Sequence, residues 1–280
     1  METIEIFKSV FGNEPFFSGR TAGVQTPRLE ENLVLTALVS SVVSSGRPVR
    51  VLEVGSWLGF SALTRAHAID ALSLAGGSVT CVDIWAPFLK NAELSDSETV
   101  YSAMDGLARN GLAFDLFRHN ISCGPPRVPI GFERGNSAEI LRTFEARSFD
   151  LVYIDGSHYY EAVRDDLAAA IGLVSSGGVL CGDDLEVQVG EIPKDKVVAN
   201  LSGDCVRDEQ LGWYFPGVTL AVHEALGPVE KHGRTWFMRK TEGGFVPVDL
   251  SSQRMMVPPH WPPVWHHEAA KLLRPTVAAG

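Results

Sequence analysis

The sequence predicts an α/β protein built on a doubly wound parallel sheet, and three observations carry that prediction. From residue 48 onward, short apolar runs rich in β-branched residues alternate with helix-periodic stretches, the pattern of successive βαβ units. The first run, Val51-Leu52-Glu53-Val54, passes directly into the turn Gly55-Ser56-Trp57-Leu58-Gly59 and then into a helical pattern. Two later runs end in carboxylates, at Asp155 and at Asp183-Asp184, where a parallel sheet exposes its ligand-binding edge.

Residues 1–47 read as a helical extension. Thr26-Pro27 supplies an N-cap and a favoured first position, Leu35, Leu38, Val39 and Val42 repeat at helical spacing, and Gly46-Arg47-Pro48 ends the helix. Strands are expected over residues 50–54, 78–83, 149–155 and 178–182. Val163, Leu167, Ala170 and Val174 mark one helix face, ended by Ser175-Ser176-Gly177-Gly178. Residues 86–129 are too long for an ordinary connection and carry helical patches around 100–107 and 114–117, so an inserted cap is expected there. Residues 186–216, polar and poorly periodic, read as a mobile loop near a site. A helix over 218–226 and a strand over 234–239 extend the same sheet, completing one domain over residues 48–250. In the tail, 251–280, Pro258-Pro259-His260-Trp261-Pro262-Pro263 can be neither regular helix nor central strand.

Composition narrows the function. The 280 residues are 45% hydrophobic and 21% charged, enough to bury a full core. A net charge of −10 with no compensating Lys/Arg stripe argues against nucleic acid and anionic membranes as partners. Residues 33–43, the longest apolar stretch, are too short to span a bilayer, and the N-terminus lacks a basic, then apolar, leader, so a cytoplasmic protein is expected. Cys81, Cys123, Cys181 and Cys205 form no C-x-x-C pair, which indicates neither a disulfide framework nor a zinc knuckle. His260, His266 and His267 have no acidic or cysteine companions to complete a metal site. The tail has the composition of a segment that covers a partner subunit, and a homo-oligomer is possible on that basis.

The glycine turn carries the first chemistry. Glycine lets the backbone turn sharply and approach a ligand closely. The spacing is E-x-G-x-x-x-G and not the G-x-G-x-x-G that packs around a pyrophosphate, and Glu53 at the strand end opposes an anion and favours a cationic ligand. That spacing disfavours a nicotinamide oxidoreductase. The next strand ends in Asp83, where an acidic side chain accepts hydrogen bonds from ribose hydroxyls. Trp57, Trp85 and Tyr159 lie close enough in sequence to stack on a bound ring, or to be core.

The acidic cluster carries the second. If the strands ending at Asp155 and Asp183-Asp184 are neighbours, three carboxylates converge, and their repulsion is costly unless they share a cation. Oxygen ligands suit a hard divalent ion such as Mg²⁺. His158, three residues after Asp155, can face that ion without ligating it.

Acidic residue, spaced glycines and ribose carboxylate together resemble the binding site of class I S-adenosylmethionine-dependent methyltransferases. Leu-Glu-Val-Gly-Ser-Trp-Leu-Gly-Phe-Ser is similar to the glycine loop of catechol and caffeoyl-CoA O-methyltransferases, and Gly135-Asn136-Ser137-Ala138-Glu139 to their adenine-side segment. The acidic pattern is most similar to the metal-dependent small-molecule O-methyltransferases of the macrocin and cephalosporin-biosynthesis type. This resemblance implies a Rossmann-like methyltransferase sheet that binds S-adenosylmethionine through Glu53, Gly55, Ser56, Trp57, Gly59, Ser61, Asp83, Asn136, Ser137 and Asp155. It implies a divalent metal on Asp155, Asp183 and Asp184, His158 as general base, and a small-molecule hydroxyl as methyl acceptor. A metal-independent O- or N-methyltransferase and a catalytically silent S-adenosylmethionine-binding protein stay open beside it.

Overall fold

A computed structural model describes residues 2–19, 21, 28–87 and 100–273. The helical extension comprises α1 (Glu2–Gly12) and α2 (Leu29–Val42), with Leu35, Leu38, Val39 and Val42 buried as the spacing predicts. The Thr26-Pro27 cap lies outside the described residues. There follow β1 (Val49–Val54), α3 (Phe60–Leu72), β2 (Gly77–Asp83), α4 (Val100–Arg109), α5 (Leu112–Ser122) and β3 (Ile130–Arg134). After the one-turn α6 (Ser137–Ile140) come β4 (Phe149–Ile154), α7 (Tyr160–Leu173), β5 (Val174–Gly182), α8 (Lys194–Ala199), β6 (Val206–Asp208) and β7 (Gly212–Tyr214). The last elements among the described residues are α9 (Pro216–Leu226), β8 (Glu230–His232), β9 (Thr235–Thr241), β10 (Gly244–Pro247) and α10 (Pro263–Leu272).

The main sheet runs β10-β9-β5-β4-β1-β2-β3, with β8 paired to β9. Strands β3, β2, β1, β4 and β5 are parallel, and β9 joins β5 antiparallel. Strand alternation sends Val51 into a core shared with α2, α3 and α5, while Leu52 and Val54 enter a second core beneath α7 and α9. Each face thus buries its own apolar set, as a doubly wound sheet requires. Strand order reverses between β1 and β4, and the crevice beyond their C-terminal ends is where such folds bind ligands.

Five expectations change on contact with the structure. Val174 is the first residue of β5 and not the last of a helix, because strand pairing with Phe149 captures it. β3 was not anticipated: Ile130 is half-buried, but Gly131, Phe132, Glu133 and Arg134 are exposed, so no apolar run announces it. Of the expected cap, 88–99 lie outside the described residues, and α5 buries Ala113, Leu116 and Phe117 in the sheet's core instead of standing apart from it. Residues 186–216, expected as a loop, form α8 and the β6–β7 hairpin around their own cluster of Val187, Ile192, Val197, Tyr214 and Leu220. The tail carries a helix and packs against the rest of this chain: Trp261, Trp265 and Ala269 cluster with Leu33, and the Trp261 indole donates to the Thr64 hydroxyl at 3.0 Å. A helix starts at Pro263 because proline is tolerated in a first turn.

His260 is half-buried beside the His67 ring, 5.4 Å away, and loss of solvent around the imidazole pushes its pKa down to about 3, so it is a neutral packing group. All four cysteines are free. Among the described residues no helix is long and apolar enough to cross a membrane.

Candidate active site

A cavity of about 750 Å³ opens over the C-terminal ends of β1, β2, β4 and β5. It receives residues from the glycine loop, from 135–137, from 155–158 and from Asp183-Asp184, with Phe215, Arg234 and Thr235 on the far side. α2 adds Glu31, Asn32 and Leu35, with Arg28 just ahead of it, and α4 adds Tyr101 and Met104.

The loop after β1 is held by the protein's own hydrogen bonds. The Gly55 amide donates to the Val82 carbonyl at 2.8 Å, and the Trp57 amide to Asp83 Oδ2 at 2.8 Å. Asp83 Oδ1 accepts from the Trp85 amide at 2.8 Å, and the Trp85 indole donates to the Trp57 carbonyl at 2.7 Å. One carboxylate therefore ties the β1 and β2 loops together and retains lone pairs for a ligand. Gly55 is needed on two counts: its φ is +85°, and a Cβ there would lie 1.9 Å from the Asp155 carbonyl oxygen. The glycine makes room for the neighbouring β4 backbone, a reason the sequence did not reveal.

Ser56, Trp57, Ser61, Asp83, Asn136, Ser137 and Asp155 all line the cavity, as does Trp85. Tyr159, at the N-cap of α7, does not. Gly59, also at φ +85°, is the N-cap of α3 and packs under Phe117 and Ile121. Glu53 is the clear correction. It shares the strand face of Val51, points under the loop instead of into the cavity, and is fully buried. There it pairs with buried Arg65 at 3.3 Å and accepts the Ser61 hydroxyl, while the Arg65 guanidinium lies 3.8 Å over the Tyr153 ring. Burial raises the Glu53 pKa and Arg65 opposes the rise.

After β3, Asn136 caps α6 by accepting from the Ala138 amide at 2.9 Å. Ser137 hydrogen-bonds to Asp166 of α7, whose buried carboxyl has its pKa pushed up to about 6, burial outweighing that bond. The folded state therefore holds this proton more tightly than the unfolded chain, and the group's contribution to stability declines as pH rises from the unfolded value of 3.8 to about 6. Asp166→Asn, which preserves a side-chain partner for Ser137, is expected to remove about 3 kcal/mol of pH dependence in that window. Urea unfolding at pH 4 and pH 7.5 checks this; equal pH dependence in both proteins would count against it.

The acidic residues meet as the strand order requires. Asp155 follows β4, Asp183 and Asp184 follow β5, and one oxygen from each lies within 4.8 Å of the others. Sequence reading missed the groups that surround them. Arg28 Nη1 is 2.7 Å from Asp183 Oδ2 and its Nη2 is 3.4 Å from Asp184 Oδ1. Arg234 Nη1 stands 3.6 Å from Asp184 Oδ1 and 3.1 Å from Glu186. His158 lies between two carboxylates, Nε2 at 3.0 Å from Asp184 and Nδ1 at 3.1 Å from Asp204, with its ring against Phe215. Tyr101 hydrogen-bonds to Asp204 from α4.

These contacts set the charges. Burial raises the Asp155 pKa well above the carboxylate range, reinforced by Asp183 and Asp184. Burial pushes Asp183 up to about 6 against the pull of Arg28. Burial also acts to raise Asp184, but His158 and Arg28 outweigh it and hold its pKa low. For His158, burial lowers the pKa, yet Asp184 and Asp204 overcome it and raise it well above the ordinary value. Three carboxylate donors this close form a set that a hard divalent cation would accept.

Residues 52–185 match a family model described as a methyltransferase domain. Among solved structures, the chain is similar to the O-methyltransferase NovP, at 18% identity over 79% of this chain and 82% of that one, with a TM-score of 0.51. It is similar to CalS11, a calicheamicin methyltransferase, at 16% identity over 85% and 90% of the two chains, with a TM-score of 0.49. It also matches an O-methyltransferase from Bacillus cereus in complex with SAH, at 15% identity over 85% and 89%, with a TM-score of 0.40. No curated protein matches the chain. At these identities the likeness to NovP speaks for the fold.

Proposed function

From the match of residues 52–185 to a methyltransferase-domain model, we propose that the chain methylates a hydroxyl of a small molecule, using S-adenosylmethionine, a divalent cation and His158 as base. One observation carries this reading: the Asp155-Asp183-Asp184 cluster and His158 line the same cavity as the glycine loop, with the Asp155 backbone packed against Gly55.

S-adenosylmethionine supplies an activated methyl on a sulfonium that leaves without acid assistance. Asp83 has acceptor capacity for ribose hydroxyls, and Asn136 and Ser137, which line the same cavity, would face the adenine. Asp155, Asp183 and Asp184 would hold the cation, whose chemistry is to lower the acceptor hydroxyl's pKa. His158 would take the proton at Nε2, the nitrogen that faces the acidic cluster and contacts Asp184 at 3.0 Å, once that contact is given up, while Asp204 on Nδ1 holds the ring's orientation. Phe215 on one face of the imidazole and Tyr101 on Asp204 restrict water around that pair.

Isothermal titration with S-adenosylmethionine, paired with an assay of methyl transfer to hydroxyl-bearing and amine-bearing acceptors, tests the reading. Binding with transfer to hydroxyls supports it; transfer confined to nitrogen overturns it, and binding without transfer to either favours the silent alternative. Asp83→Ala is expected to weaken S-adenosylmethionine binding by about 1–3 kcal/mol, the cost of leaving buried donors unpaired. Unchanged affinity would remove Asp83 from the ribose. A metal-free version of the same reaction draws on one observation, the Arg28 guanidinium already seated on two of the three carboxylates.

A further inference from the structure

We propose that Arg28 is an internal counter-ion of the acidic site, which competes with a divalent cation for the oxygens of Asp183 and Asp184 and must withdraw before the cation binds. This rests on the metal reading above. The guanidinium contacts both carboxylates that follow β5, at 2.7 and 3.4 Å, while those carboxylates and Asp155 present oxygens within 4.8 Å of one another. A guanidinium and a metal ion are both satisfied by carboxylate oxygens, and two cations crowded onto one such cluster repel each other.

The structure also provides a place for the guanidinium to go. Glu31, one helical turn along α2, has Oε2 3.4 Å from Arg28 Nε, and that buried oxygen makes no hydrogen bond. Arg28 Nε is likewise buried without a hydrogen bond, so the two atoms lie near each other with their bonding capacity unused. Moving from Asp183 and Asp184 onto Glu31 needs side-chain rotation at the head of one helix, with no change in the sheet. Arg234, whose Nη1 contacts Asp184 and Glu186 and whose Nε stands 4.0 Å from Glu31 Oε2, shares that carboxylate at the longer distance.

The test is a direct measurement of Mn²⁺ affinity by calorimetry on the intact chain, independent of turnover. Arg28→Met is expected to bind Mn²⁺ at least about tenfold more tightly than the unsubstituted protein, because no buried charge pair has to be broken first. Arg28→Lys, which keeps the charge without the two-pronged geometry, should fall between them. Glu31→Gln, which removes the alternative resting place, should bind Mn²⁺ more weakly and stands as a second test if Arg28→Met does not fold. Equal or weaker binding by folded Arg28→Met would overturn the competition while leaving the metal reading in place. Absence of Mn²⁺ binding in both proteins, with S-adenosylmethionine still bound, would overturn the metal reading and the competition together.

Discussion

His158→Ala is expected to reduce turnover by about 10²–10⁴-fold, the range for a positioned acid or base, with cofactor and cation binding retained. The imidazole has Asp204 on Nδ1 and Asp184 on Nε2, so it is oriented from both sides and touches the acidic cluster without being one of its three carboxylates. Its raised pKa gives the pH dependence. Burial alone would lower the value, but the two aspartates hold the ring as an imidazolium into higher pH. The charged ring stabilises the fold below the ordinary histidine value, and that contribution is lost as pH rises through the higher folded pKa. Base catalysis needs the opposite form, so turnover should climb on the alkaline side of the ordinary range near pH 6.5. The alanine variant should lose that limb. Near-normal turnover would make His158 a charge-balancing residue, whereas a large loss of cation affinity would make it a ligand.

Chelation by EDTA, or Asp155→Ala, is expected to lower turnover by about 10³-fold, the several kcal/mol that a Lewis acid contributes at a developing oxyanion, with S-adenosylmethionine affinity largely unchanged. Alanine at 155 retains the carbonyl that packs against Gly55, and the loop's own hydrogen bonds run to Val82 and Asp83. Initial rates and calorimetric affinities, measured on the same samples, separate the two effects. Full activity in chelator would leave Arg28 as the site's working cation and reject the divalent ion.

The parts of this site that were legible in the sequence are those tied to strand ends. β1 and β4 are apolar and almost wholly buried, β2 buries Val79, Cys81 and Val82, and β5 buries Val179, Leu180 and Cys181; Asp83, Asp155, His158, Asp183 and Asp184 follow or close these runs, so locating the strand locates the residue. Which way a strand residue faces was less accessible. Glu53 reads as a cofactor ligand until Arg65, twelve positions later on α3, is seen to claim it. Arg28 and Asp204 could not be read at all, because their roles come from contacts 155 and 46 positions away in the chain. The exposed strand β3 escaped for want of an apolar pattern, and the 186–216 segment because its small core draws Leu220 from a separate helix.

The loop between β1 and α3 sets three residues, Gly55, Trp57 and Gly59, in the left-handed backbone region within five positions. Restricting a residue to one conformational well costs about 1–2 kcal/mol in chain entropy. Here the restriction is imposed by Val82, Asp83, Ser56 and the Glu53–Arg65 pair, all parts of the protein itself. The entropy loss therefore falls on folding, and a ligand entering the crevice meets a surface whose shape it does not have to organise.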